Sequence, residues 1–243
     1  MNRVIETSAA LRDGVIETSM GREEIVQRVM HRGELVILKQ VFPDAMATAI
    51  RTAVADWGRG VPLAEVDDFA GAYHRRRCLV ARIQQAPHVF HDYNFNNLAT
   101  LPPELRATLR GLFEPLRELY NALTGYDVRF EIPASGPYVH PQLIHYPSGG
   151  GFFARHWHNL APQKLGFIVS LSRRGRDFRN GGTCFEIDGE VADTEAHQEI
   201  GDVLIWRYDH PHWVTQSDLQ DKFDWASDAG RWVATFAYFD PKG

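Results

Sequence analysis

Tyr146-Pro-Ser-Gly-Gly-Gly-Phe-Phe-Ala-Arg-His156-Trp-His158-Asn159 is the stretch on which the reading of the fold turns. His156 and His158 stand two apart, so on a β-strand they project from one face and reach a single metal ion together. Downstream, Gly201-Asp-Val-Leu-Ile-Trp206 reads as a strand that delivers Asp209-His210-Pro211-His212-Trp213-Val214 at its far end. Arg231-Trp-Val-Ala-Thr235-Phe-Ala-Tyr-Phe239 then alternates as a strand headed by an arginine. A histidine pair on one strand, a distant histidine and a strand-borne arginine point to a non-haem iron site with an anion clamp.

Working outward, the chain from Val128 onward consists of short β-type runs separated by Gly, Pro, Asn and Asp. The first 127 residues read as mainly helical support. Residues 1 to about 32 are charged and weakly periodic, with a short helix around Arg22–His31. Glu34-Leu-Val-Ile-Leu-Lys39 is a short strand, and Met46, Ile50, Val54 and Trp57 fall at helical spacing after Phe42-Pro43-Asp44. Residues 58–100 carry no clear period. Leu105, Leu109, Leu112, Leu116, Leu119 and Leu123 form one helical stripe, with Pro115 as a kink and Gly125 as a stop. Helices followed by a block of short strands predict an α+β chain, one domain over residues 1–243. Its core over 128–243 is a sandwich or jelly roll whose mouth gathers inward side chains.

With 243 residues, 44% of them hydrophobic, the chain is long enough to bury a full core. A formal charge of −5 gives no electrostatic reason to bind nucleic acid or an acidic membrane. Cys78 and Cys184 are too few for a disulfide framework, which favours a reducing compartment. The polar start, Met1-Asn-Arg-Val-Ile-Glu-Thr, lacks a signal peptide's apolar run, and nothing approaches the ~20 apolar residues of a spanning helix. A cytoplasmic location is the expectation.

Residues 142–240 resemble the double-stranded β-helix core of iron(II)- and 2-oxoglutarate-dependent oxygenases, most closely the prolyl-hydroxylase branch. The matching stretches, in order, are Tyr146-Pro147, His156-Trp157-His158, Gly181-Gly182-Thr-Cys-Phe185, Pro211-His212-Trp213-Val214 and Arg231-Trp-Val-Ala-Thr235. The resemblance implies that His156 and His212 ligate iron and that Arg231 grips the distal carboxylate of 2-oxoglutarate. It places Tyr146 at that carboxylate or in the substrate pocket, and Thr235 beside the co-substrate. Implied too is an oxidative decarboxylation to succinate and carbon dioxide, coupled to hydroxylation or a related oxidation of a small molecule by O2.

The chain departs from the family pattern at His158, which stands where the family's His-x-Asp motif has aspartate. Three neutral imidazoles leave the metal more positive, which favours an anionic ligand directly on it. Three readings stay open. His158 ligates and 2-oxoglutarate chemistry survives; it turns aside and leaves a two-histidine site; or the enzyme is a three-histidine iron dioxygenase that needs no oxoacid and takes a chelating substrate. A non-catalytic relic that only binds a ligand or partner is the remaining alternative.

Pro211 breaks regular pairing beside His210, which makes His212 the better ligand. Arg75 and Arg77 point the same way if their segment is a strand, and are candidates for an anionic group on the substrate. Lys164 reads as a turn lysine, Cys184 as buried packing, Asp202 as a turn residue, and His74, His91, His140 and His145 as background. Arg231 follows His212 by nineteen positions, longer than is usual in the family, and the polar filling from Ser217 predicts an inserted loop over the site mouth.

Overall fold

The computed structural model describes residues 3–66, 71–79, 85–130 and 136–240. In chain order these form β1 (Val4–Arg12), β2 (Val15–Thr18), α1 (Arg22–Val26) with a widened turn over Gln27–His31, β3 (Leu35–Lys39), α2 (Asp44–Gly60), β4 (Ala72–Leu79) and β5 (His88–Phe95). There follow α3 (Pro103–Thr124), β6 (Tyr138–Pro147), β7 (Gly151–His156), β8 (Leu165–Ser170), β9 (Gly182–Ile187), β10 (Glu190–Asp193), β11 (Val203–Arg207), β12 (His212–Ser217) and β13 (Gly230–Phe239). The architecture is the expected jelly roll with helices ahead of it, and the first 127 residues also carry β1 to β5, of which β3 and β5 lie inside the sheet.

The strands run in the order β10-β9-β12-β7-β5-β6-β13-β8-β11-β3-β1-β2, with β4 added on β5. Side chains alternate across this layer. On β3, Val36 and Leu38 enter a large core under the helices, whereas Leu35 and Ile37 enter a smaller core inside the roll. On β11, Val203 and Ile205 go to the first and Leu204 and Trp206 to the second. Strands covered on both faces read as unbroken apolar runs, which is why these two were legible.

The helices close the outer core. All six leucines of the α3 stripe are buried, each contributing on the order of 1.5–3 kcal/mol relative to exposure. Gly125 takes a left-handed conformation, φ 74°, and its N–H donates to Asn121 O, which ends the helix where the sequence predicts. No helix among the described residues is long and apolar enough to cross a membrane.

Candidate metal centre

β7 and β12 are antiparallel neighbours in which His156 lies directly opposite His212. β7 ends at His156, so His158 is not a strand residue; it reaches the pair from the loop that follows. His158 thus lies near His156 without the strand alternation that the sequence suggested. The three ring centroids stand 4.3, 5.1 and 5.3 Å apart, and one nitrogen from each ring lies within 4.8 Å of the others.

Backbone carbonyls set the tautomers. Nδ1 of His156 is 2.8 Å from Ala154 O, and Nδ1 of His212 is 2.8 Å from His210 O. A carbonyl can only accept, so each Nδ1 carries the proton and each Nε2 keeps a lone pair for a metal. Burial lowers the pKa of all three rings, to about 4 for His158 and about 3 for His212. Near neutral pH they are uncharged, as metal ligation requires. Each imidazole also has an aromatic face against it: Phe153 on His156 at 4.0 Å, Tyr208 on His158 at 4.4 Å, and Phe185 on His212 at 5.5 Å. Tyr208 restrains His158 in place of the carbonyl contact that the other two rings have.

One pocket of about 220 Å³ contains all three histidines together with Arg231, Tyr146 and Thr235. β13 places Arg231 opposite Tyr146 of β6, and Thr235 opposite Gln142. Arg231 is 1% exposed, and its Nε donates to Glu195, itself buried; Nη1 and Nη2 are buried without a hydrogen-bond partner. The Tyr146 ring lies 5.8 Å from the guanidinium carbon, and burial raises the phenol's pKa, so Tyr146 remains a donor. Two further unsatisfied polar atoms belong to residues lining the pocket, Thr183 Oγ1 and Trp206 Nε1. Gly166 opposes Trp206 on β8, and a Cβ there would stand 2.1 Å from the indole, so the ring depends on that glycine.

Arg75 and Arg77 do share a face of β4, and both approach Asp92 Oδ2, at 3.8 and 3.5 Å. Only Arg77 lines the pocket. Asp92 also accepts from Asn94 and Gln142 at 2.6 Å. His210 is occupied elsewhere, its Nε2 donating to Gly33 O at 3.0 Å. Lys164 reaches Thr124 O at 3.1 Å and the Tyr126 ring, on α3's side of the molecule. Cys184 is buried with its thiol pushed up to about 11, as packing demands.

The loop before β13 does not cover the mouth. No residue from 217 to 229 lines the pocket; Trp225 packs edge-on to His91 at 4.9 Å, on the outward face of β5, with Arg76 over it. Phe223 closes on Gly149, where a Cβ would come within 2.5 Å of its nitrogen. Sequence reasoning also missed Thr183, Glu195, Trp206 and Tyr208. Gly181-Gly182 was the available signal for the first two, since a strand opening on glycines announces a close approach.

No family model matches the chain, and no curated protein matches it by sequence. Solved structures do. A Pseudomonas putida prolyl-4-hydroxylase superposes with a TM-score of 0.54 at 12% identity, covering 89% of this chain and 99% of that one. A Trichoplax adhaerens prolyl hydroxylase, solved with a hypoxia inducible factor peptide fragment, gives 0.53 at 14% identity and 91% coverage of each chain. The α-ketoglutarate-dependent carbocyclase SnoK of nogalamycin biosynthesis gives 0.55 at 14%, covering 91% of this chain and 85% of its own. At these identities the shared property is the fold.

Proposed function

We propose that this chain is a non-haem iron(II) oxygenase that uses O2 and 2-oxoglutarate to oxidise a small molecule. One observation carries the reading: three imidazoles with free lone pairs share a pocket with an arginine whose outer edge is buried and unpaired. A buried guanidinium with open Nη groups is costly unless a carboxylate completes it, and a 2-oxo diacid does so while its other end chelates a metal. The likeness of fold to the α-ketoglutarate-dependent carbocyclase SnoK adds support.

His156, His158 and His212 would hold the metal through one nitrogen each, and the pocket they share with Arg231 would take the oxo acid. Bound iron supplies the activation of O2 that no side chain provides. Arg231 pairs with the distal carboxylate, Thr183 Oγ1 and Tyr146 donate beside it, and Thr235 lies along the same wall. Phe90, Phe153, Trp206 and Val233 keep water from the reacting end. Arg77, at the rim with a long contact to Asp92, is placed to receive an anionic group on the substrate, and Arg75 holds Asp92 behind it.

Anaerobic titration tests this: the protein should bind one iron(II) per chain, and 2-oxoglutarate should then add a visible charge-transfer band. With a competent substrate, O2 uptake should yield succinate in equal amount. Protein that takes up no iron(II) anaerobically would remove the proposal. Oxygen uptake without succinate would convert it to the oxoacid-independent three-histidine dioxygenase.

A further inference from the structure

Glu195 is a buried carboxylate with no sequence motif to announce it, and the structure takes trouble to place it. It lies in a single turn over Thr194–Ala196, where Asp193 Oδ1 caps the Glu195 N–H at 3.0 Å. Thr194 Oγ1 ties that turn to β9 by donating to Thr183 O at 2.9 Å. Gly182, at φ 140°, makes the room: a Cβ there would stand 2.0 Å from Glu195 Cγ, so no other residue fits beneath the side chain. The carboxylate then accepts from Arg231 Nε and from Thr183 N at 3.4 Å. Its side chain is 2% exposed and that of Arg231 1%.

A guanidinium has two usable edges, and a carboxylate on Nε removes one of them. What remains is the Nη1–Nη2 edge, both nitrogens of which are buried and unpartnered beside the pocket. A long flexible side chain held at one edge presents the other in a fixed direction, so less freedom is lost when a second carboxylate docks. Glu195 also keeps the buried cation compensated while no ligand is bound.

We propose that Glu195 is a positioning residue for the distal carboxylate of the 2-oxo acid, acting through Arg231 and not on the metal. This rests on the reading of the pocket as an oxo acid site. The consequence is selective: Glu195 matters for an oxo acid with a second carboxylate and is indifferent to one without.

The test is calorimetric binding of 2-oxoglutarate and of pyruvate to the anaerobic iron(II) protein. Pyruvate has the chelating end and lacks the distal carboxylate. Glu195→Ala should weaken 2-oxoglutarate at least about tenfold, close to 1.4 kcal/mol, and leave pyruvate within about twofold. Glu195→Gln, whose carbonyl oxygen still accepts from Nε, should recover most of the loss. Should the alanine variant not fold, Glu195→Asp draws the acceptor back by one methylene and should weaken 2-oxoglutarate alone. Equal changes in both acids, no change in either, or a glutamine variant as weak as alanine overturns the positioning role. Wild-type protein that holds iron(II) but binds neither acid fails the oxo acid reading itself, a different outcome.

Discussion

Replacing Arg231 with methionine leaves Glu195 buried beside no cation. Breaking one side of a buried ion pair costs about 3–5 kcal/mol, because the remaining charge cannot return to water. Removing both charges costs far less when the volume is refilled. Arg231→Met should therefore lose roughly that much in urea unfolding, and Arg231→Met with Glu195→Met should recover most of it at an unchanged m value. A single variant within about 1 kcal/mol of wild type would show that the pair is not paying for its own burial. Legibility at this scale divided along the same line. His156, His212 and Arg231 were readable because each sits in a strand whose pattern says which way it points, whereas His158 lies in the loop after β7 and was read by its spacing alone. Glu195 sits in Asp193-Thr-Glu195-Ala, a polar stretch that looks solvated, and its burial is decided by Gly182 across the turn.

The β4–β5 hairpin shows the same limit for a whole element. Residues 58–100 carried no period because the positions of β4 and β5 that face away from the pocket, toward the helices, include polar residues: His74 and His91 are buried, as is His145 on β6. They are stacked, His74 on Tyr93 at 4.3 Å, His91 on His145 at 5.3 Å and His145 on Trp232 at 4.2 Å. His74 Nδ1–H donates to Gly58 O at 2.9 Å, so its Nε2 must accept from His91 Nδ1–H at 2.8 Å; His145 Nε2–H donates to Ala229 O at 3.0 Å. Every ring is neutral in this arrangement. Burial lowers His91 to about 2 and His145 to about 3, with neighbouring cationic groups adding to the effect at both. Both folded values lie below the unfolded one of about 6.5, so the unfolded chain takes up protons first as pH falls. The stability they confer is complete above pH 6.5 and is lost downward from there, by roughly 1.4 kcal/mol per group per pH unit once well below it. Comparing urea midpoints at pH 7 and pH 5, the His91→Phe, His145→Phe double variant should lose clearly less stability than wild type. Equal losses would mean that these rings do not titrate with unfolding.

For the molecule as a whole, the candidate ligands join parts of the roll that backbone pairing holds only loosely. β7 meets β12 with register shifts on either side of Val214, and meets β5 through two residue pairs. A metal shared by His156, His158 and His212 would bind β7, the loop after it and β12 at the point where His156 faces His212. Binding confined to the folded state stabilises by mass action, about 2.7 kcal/mol at one hundred times the dissociation constant. For a chain of this size each kcal/mol is worth about 2–4 °C, so a rise of roughly 5–10 °C is expected when iron(II) is added anaerobically. Ethylenediaminetetraacetate should reverse it, and His156→Ala with His212→Ala should abolish it, because the remaining imidazole offers a single ligand. A rise of the same size in that double variant would place the metal elsewhere on the chain and leave the three histidines without the role their geometry supports.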